Sequence, residues 1–171
     1  MAASFIAMSI FGSRHLHLAE DVLRYARTLE LRIATAESCT GGLIAALLTE
    51  IPGSSDVFER GFVTYSNEAK IACLGVPKQM IDQWGAVSEA VARQMAERAM
   101  KVSNAQLAVA VTGIAGPGGG TDEKPVGLVH MAAARDRGAT LHEKHLFGDI
   151  GRGEIRMASV EAALRLLLKL L

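Results

Sequence analysis

The spacing of apolar residues along this chain switches between a helical period and a strand period several times. Residues 17–29 carry apolar side chains at helical spacing, and the short apolar run 31–37 predicts a strand. A second helix is predicted after Gly42, ending near Pro52. The other predicted elements are a strand over 57–65, short helices near 66–70 and 77–84, a helix over 88–102, strands over 107–111, 126–134 and 140–147, and a helix from about 153 onward.

Helices that alternate with strands, followed by a strand hairpin, predict an α/β fold: a three-layer α/β/α sandwich around a mixed β-sheet. The run 107–111 is apolar at every position, as expected for a strand covered on both faces. A length of 171 residues suits a single domain. We expect that domain to occupy residues 17–171, after an N-terminal extension over residues 1–16.

Charge and composition argue against several classes of partner. The chain has 18 Lys+Arg and 18 Asp+Glu, whereas a nucleic-acid-binding surface needs a basic face. Its apolar runs are too short to span a bilayer, and residues 5–11 lack the preceding basic region of a signal peptide. Two cysteines do not form a disulfide framework, which favours a reducing cytoplasm.

The segment 35–42 reads Thr-Ala-Glu-Ser-Cys-Thr-Gly-Gly and lies between a predicted strand and a predicted helix. Ser38 is therefore predicted at a turn where free backbone N–H groups and a helix dipole point outward. Such a position suits either anion binding or stabilisation of the oxyanion formed when a serine attacks a carbonyl. A simpler interpretation is that Ser38 or Thr40 caps the helix.

A glycine-rich segment, 112–120, directly follows the buried strand 107–111. Ligands of open α/β sheets bind beyond the carboxyl ends of the strands, where this loop would meet the turn at Ser38. Its glycines suit a backbone nest for phosphate or carboxylate. It matches neither a P-loop nor the dinucleotide Gly-x-Gly-x-x-Gly pattern, and a flexible surface loop is the alternative.

A serine nucleophile needs a base, and Lys70 can serve if burial or a neighbouring cation lowers its pKa. Tyr65, five residues earlier, can relay a proton or orient a substrate. The alternative is a solvated lysine on a helix face. Histidine is the more usual base, but the three histidines of the late strands are interpreted as structural or exposed; they are His130, His142 and His145.

Two arginines, Arg152 and Arg156, open the last predicted helix. Arg152 follows Gly151 and can bind a phosphate through two parallel hydrogen bonds, although a surface arginine is the alternative. The histidines and cysteines show no spacing typical of metal ligands, so we expect no metal.

Taken together, these segments resemble the CinA C-terminal domain family. The resemblance extends over residues 17–169 and rests on six ordered motifs: 35–42, 52–55, 65–67 with Lys70, 85–89, 112–120 and 125–127. It implies a compact α/β/α domain that hydrolyses the carboxamide of nicotinamide mononucleotide to nicotinate mononucleotide and ammonia, in pyridine-nucleotide recycling. It also implies a reaction without a metal or other cofactor.

The resemblance implies Ser38 as nucleophile, Lys70 as the catalytic lysine, and Tyr65 in the same site. In the family a Phe-x-Gly-Asp-Arg run precedes the last helix, whereas this chain reads Phe-Gly-Asp-Ile-Gly-Arg over residues 147–152. Arg152 matches the arginine of that run. The expected substrate contacts come from the turn, the glycine-rich loop and this arginine: Thr40, Gly41, Gly42, Thr112, Gly113, Gly116 and Arg152.

The expected mechanism has Ser38 attack the carboxamide while Lys70 takes its proton, directly or through Tyr65. Cys39 is a rival nucleophile. An esterase or peptidase, and a non-catalytic nucleotide-binding or interaction domain linked to competence or DNA damage, are alternative functions. The apolar tail 166–168 makes a homo-oligomer plausible, and the expected partner is a small nucleotide, with no nucleic acid and no membrane.

Overall fold

The computed structural model describes residues 9–171, so the first eight residues of the predicted extension lie outside the described part. Its helices are α1 (Ser13–Thr28), α2 (Leu43–Glu50), α3 (Asn67–Ala69), α4 (Lys78–Trp84), α5 (Glu89–Lys101) and α6 (Arg152–Leu168). Its strands are β1 (Ile33–Glu37), β2 (Phe58–Val63), β3 (Leu107–Gly113), β4 (Leu128–Arg135) and β5 (Thr140–Leu146). A 3-10 turn (Ser54–Asp56) and a π-helical turn (Lys70–Leu74) complete the fold. Among these residues, no helix is long and apolar enough to cross a membrane.

The five strands form one mixed sheet in the order β2-β1-β3-β4-β5. β1 runs parallel to both β2 and β3, whereas β4 pairs antiparallel with β3 and β5. Helices cover both faces, so the predicted single-domain α/β/α sandwich around a mixed sheet is confirmed. The carboxyl ends of β1, β2 and β3 therefore meet at one edge of the sheet.

Large and small residues alternate along β3 and separate the two halves of the core. Leu107, Val109 and Val111 pack in the cluster formed with α1, α2 and α6. Ala108 and Ala110 belong to the opposite cluster, where their small side chains let α5 approach the sheet closely. Both faces of β3 are buried, as its uninterrupted apolar run predicts.

Several elements begin one to four residues away from their predicted starts, and two of them show a physical reason. α1 starts at Ser13 rather than 17, and buried Leu16 extends its apolar face by one turn. β4 starts at Leu128 rather than 126 because Gly127 has φ +90°, outside the extended region of the strand.

Candidate active site

The carboxyl edge of the sheet brings the predicted segments together around one cavity of about 290 Å³. The amide of Ser38 donates to the carbonyl of Val111 at 3.0 Å, which joins the turn after β1 to the end of β3. Seven of the predicted site residues line the cavity: Ser38, Tyr65, Lys70, Thr112, Gly113, Gly116 and Arg152.

Ser38 and Lys70 form a buried pair within this cavity. The Nζ atom of Lys70 lies 3.0 Å from the Oγ atom of Ser38 and donates to the carbonyl of Thr64 at 2.8 Å. Lys70 is only 2% exposed, and burial lowers the pKa of its amine. Because both hydrogen-bond partners are uncharged, they offset little of the cost of a buried ammonium. A neutral amine beside Ser38 has a lone pair that can accept the serine's proton.

The π-helical turn Lys70–Leu74 starts at the lysine itself. It follows the short helix α3, which Ser66 caps by accepting a hydrogen bond from the amide of Ala69 at 3.0 Å. π-turns are rare and occur often at functional sites. The expectation of a helix here is correct in outline, but no residue pattern in the chain signalled the π-turn.

The N-terminus of α2 differs from its prediction. Its N-cap is Gly42, with no capping side chain, and the hydroxyl of Thr40 is buried without a hydrogen-bond partner in the described part of the chain. The carboxylate of Glu37 occupies this end instead, accepting from the amides of Ile44 at 2.9 Å and Ala45 at 3.0 Å. The prediction of a Ser38 or Thr40 cap is therefore wrong, and of the free amides expected here Glu37 takes those of Ile44 and Ala45.

Thr40, Gly41 and Gly42 lie in the turn but are not among the residues lining the cavity. Arg156 of α6 binds this segment through its guanidinium, which donates to the carbonyls of Cys39 at 3.0 Å and Thr40 at 3.2 Å. The structure thus places these three predicted substrate contacts behind the nucleophile. It also places Arg152, rather than Arg156, on the cavity wall.

Arg152 is the first residue of α6 and spans two walls of the cavity. Its guanidinium donates to the carbonyl of Gly116 at 2.7 Å and to the hydroxyl of Tyr65 at 2.8 Å. Tyr65 is 60% exposed, and its hydroxyl accepts a hydrogen bond from Arg152. The geometry therefore favours direct proton transfer from Ser38 to Lys70 over a relay through Tyr65.

The glycine-rich loop is held by hydrogen bonds where it leaves β3. Thr112 donates through Oγ1 to the carbonyl of Ala86 at 2.9 Å, and Ile114 donates its amide to Leu128 at 2.9 Å. Ala86 and its neighbour Val87 also line the cavity, as does Asn67. These three wall residues had no prediction of their own, although two of the six motifs contain them.

The remaining candidates have settings that differ from those of a catalytic group. His130 and His142 bond to each other at 2.9 Å between ring nitrogens, and burial lowers the pKa of His130 to about 4. Burial also raises the pKa of the Cys39 thiol to about 11, which keeps it protonated at neutral pH. Within residues 9–171, no three His, Cys, Asp or Glu side chains converge to hold a metal ion.

Fold and site define an α/β/α protein with a buried serine–lysine pair at the carboxyl edge of a mixed sheet. The chain belongs to the CinA C-terminal domain family, whose family model matches residues 15–171.

Solved structures of the family share this architecture. The chain is similar to the competence/damage inducible protein CihA from Agrobacterium tumefaciens, with a TM-score of 0.94 and 54% identity over 95% of this chain and 99% of that one. A CinA superfamily protein from Escherichia coli gives a TM-score of 0.87 and 32% identity over 96% and 95% of the two chains.

Curated relatives are longer than this chain. A CinA-like protein from Akkermansia muciniphila is 53% identical over 130 residues, which are 76% of this chain and 31% of that protein. The chain spans 27% to 38% of the length of the curated relatives that it matches.

Proposed function

We propose that this chain is an amidohydrolase that releases ammonia from the carboxamide of nicotinamide mononucleotide, in pyridine-nucleotide recycling. The observation that carries the proposal is the 3.0 Å separation between Lys70 Nζ and Ser38 Oγ in a buried setting. Serine with a neutral lysine is a nucleophile–base pair suited to acyl transfer. The family resemblance supplies the nucleotide as substrate.

The reaction divides into two acyl-transfer steps. Ser38 Oγ attacks the carboxamide carbon while Lys70 Nζ takes the hydroxyl proton. The resulting ammonium of Lys70 gives that proton to the departing nitrogen, the C–N bond breaks and ammonia leaves an ester on Ser38. Water then attacks the ester with Lys70 again as base, releasing the nicotinate nucleotide and restoring the serine.

An oxyanion forms in each step and needs donors that the protein does not already use. The amide of Ser38 is bound to Val111, and those of Ile44 and Ala45 are bound to Glu37. The amide of Cys39 is the donor that we assign, because Cys39 lines the cavity and its amide has no backbone acceptor within residues 9–171. One such donor typically contributes about 100- to 1000-fold in turnover.

The cavity wall formed by Arg152 suits a phosphate. Arg152 is held there by Gly116 and Tyr65, and a guanidinium binds phosphate through paired, charge-assisted hydrogen bonds. Gly118 and Gly119 line the same cavity, where glycine allows close approach to the backbone. Binding energy from a remote phosphate would orient the reacting amide against Ser38.

Ammonia release by the purified chain tests this proposal, with nicotinamide mononucleotide, nicotinamide riboside and nicotinamide compared as substrates. We expect the mononucleotide to be preferred and Ser38→Ala to lose turnover by about 1000-fold or more. The matched control is Lys78→Ala, which removes an exposed lysine and should keep wild-type turnover. Because its thiol is protonated, Cys39→Ala should reduce turnover only a few-fold.

Two results would contradict the proposal. If Ser38→Ala kept wild-type turnover while Cys39→Ala lost it, the nucleophile would be the cysteine. Calorimetric binding of the mononucleotide without ammonia release would instead indicate a non-catalytic nucleotide-binding domain.

A further inference from the structure

The turn that carries Ser38, residues 38–42, is held from two sides by charged side chains. Glu37 precedes it at the end of β1, and Arg156 reaches it from α6. Neither side chain is among those lining the cavity, and the mechanism above uses neither. Both side chains nevertheless bind the backbone that positions the nucleophile.

Glu37 is fully buried and uses both carboxylate oxygens. Oε1 accepts from the amide of Ile44 at 2.9 Å and Oε2 from that of Ala45 at 3.0 Å. These amides lie in the first turn of α2, where backbone donors lack helical partners. The carbonyl of Glu37 also accepts from the amide of Thr64 at 2.8 Å, and the carbonyl of Thr64 in turn binds Lys70. Glu37 therefore connects the segments carrying both members of the pair.

Arg156 binds carbonyl groups of the same turn, whereas Glu37 binds backbone amides. Its Nε atom donates to the carbonyl of Cys39 at 3.0 Å, and Nη2 donates to that of Thr40 at 3.2 Å. A Cβ atom at position 41 would lie 3.2 Å from Nη2, tighter than an ordinary contact, so Gly41 leaves room for the guanidinium. Carbonyl groups of the turn and amides of the following helix are thus fixed by separate partners.

We infer that Glu37 and Arg156 are positioning residues that hold Ser38 in register with Lys70, an inference whose kinetic part rests on the proposed function. Both act through the backbone rather than through the substrate. A displacement of about 1 Å at a reacting group can lower a rate by about 100-fold, so a loosened turn should weaken the serine's reactivity. Binding at the Arg152 wall should be unaffected.

Glu37→Gln is the direct test because it preserves side-chain shape but turns an NH₂ group toward one of the two backbone amides. We expect kcat to fall by about 10- to 100-fold with KM within about two-fold of wild type. The matched control is Ala99→Gly, buried in α5, which lowers stability by an amount similar to the loss of a helix cap. It should leave kcat unchanged.

Arg156→Gln provides a second test that does not depend on folding of the Glu37 variant. It should lower kcat with little change in KM. A merely structural role predicts loss of thermal stability without loss of kcat in both variants, and that result would overturn the inference.

Labelling of Ser38 by a fluorophosphonate, which reports serine reactivity without nicotinamide mononucleotide, separates this inference from the proposed function. The wild type should be labelled, Ser38→Ala should not, and Glu37→Gln and Arg156→Gln should be labelled about 10- to 100-fold more slowly. Slow labelling of both variants supports the inference even if the wild type releases no ammonia from the mononucleotide. Wild-type labelling rates in both variants would refute it.

Discussion

The buried amine of Lys70 should make the stability of this protein depend on pH. Burial lowers the folded-state pKa of Lys70, whereas the unfolded chain titrates at the ordinary value of 10.5. Between those two values the unfolded chain holds a proton that the folded protein has released. The free energy of unfolding therefore rises with pH across this interval, and the contribution is lost as pH falls toward the folded-state pKa.

The slope of this dependence follows from the proton count. One proton of difference changes the free energy of unfolding by up to about 1.36 kcal/mol per pH unit. Lys70→Met removes the titrating group but keeps an unbranched side chain of similar length. It also removes the hydrogen bonds to Ser38 and Thr64, worth about 1 kcal/mol each. That loss is a constant offset once the amine is neutral, so the slope is the diagnostic quantity.

Urea unfolding at a series of pH values from 7 to above 10 measures this slope for the wild type and Lys70→Met. We expect the free energy of unfolding of the wild type to increase relative to that of the variant as pH rises. The difference between them should become constant above pH 10.5. Lys78→Met removes an exposed lysine paired with Asp82 and serves as the control. Its curve should run parallel to that of the wild type, because surface ion pairs contribute little.

Parallel curves for the wild type and Lys70→Met would refute the reasoning. They would mean that Lys70 keeps its ordinary pKa in the folded protein, stays protonated at neutral pH, and cannot serve as the base. A rise of kcat/KM with pH through the same folded-state pKa would tie the stability measurement to catalysis.

Two further predictions concern the cavity wall and the fold. Arg152→Gln should raise KM for nicotinamide mononucleotide by about 10- to 100-fold, because charge-assisted hydrogen bonds contribute about 1.5–3 kcal/mol. The same variant should leave turnover of the riboside unchanged. Equal effects on both substrates would contradict phosphate binding by Arg152. Gly127→Ala should lower Tm by several degrees, because φ is +90° there and the new Cβ would lie 2.6 Å from the nitrogen of Gly148. An unchanged thermal melt would show that this backbone adapts readily.

The periodicity of apolar residues predicts most elements of this fold, and the structure shows why some details escape it. The alternation within β3 is hidden in the sequence because alanine and valine both count as apolar, although they face different helices. The strand order depends on pairings between distant segments, such as β1 with β3, which local patterns do not encode. The π-turn at Lys70 likewise has no residue signature of its own.

In the site, too, some features follow from local sequence and others depend on contacts between distant residues. Ser38 and Lys70 could be singled out from residue type together with family resemblance, and the structure brings them together. The role of Glu37 has no local signal in the sequence because its partners, Ile44 and Ala45, lie seven and eight residues further along the chain. The contact between Tyr65 and Arg152 joins residues 87 positions apart, so only the folded chain reveals it.

The carboxylate of Glu37 changes how the motif 35–42 can work. A helix N-terminus attracts negative charge, and here the carboxylate of Glu37 supplies that charge. A substrate phosphate at the start of α2 would have to displace a buried carboxylate, whereas Arg152 already presents a guanidinium to the cavity. We therefore propose that phosphate recognition belongs to Arg152 on the cavity wall and nucleophile positioning to Glu37 outside the cavity. On this proposal, we expect Arg152 variants to change KM and Glu37 variants to change kcat.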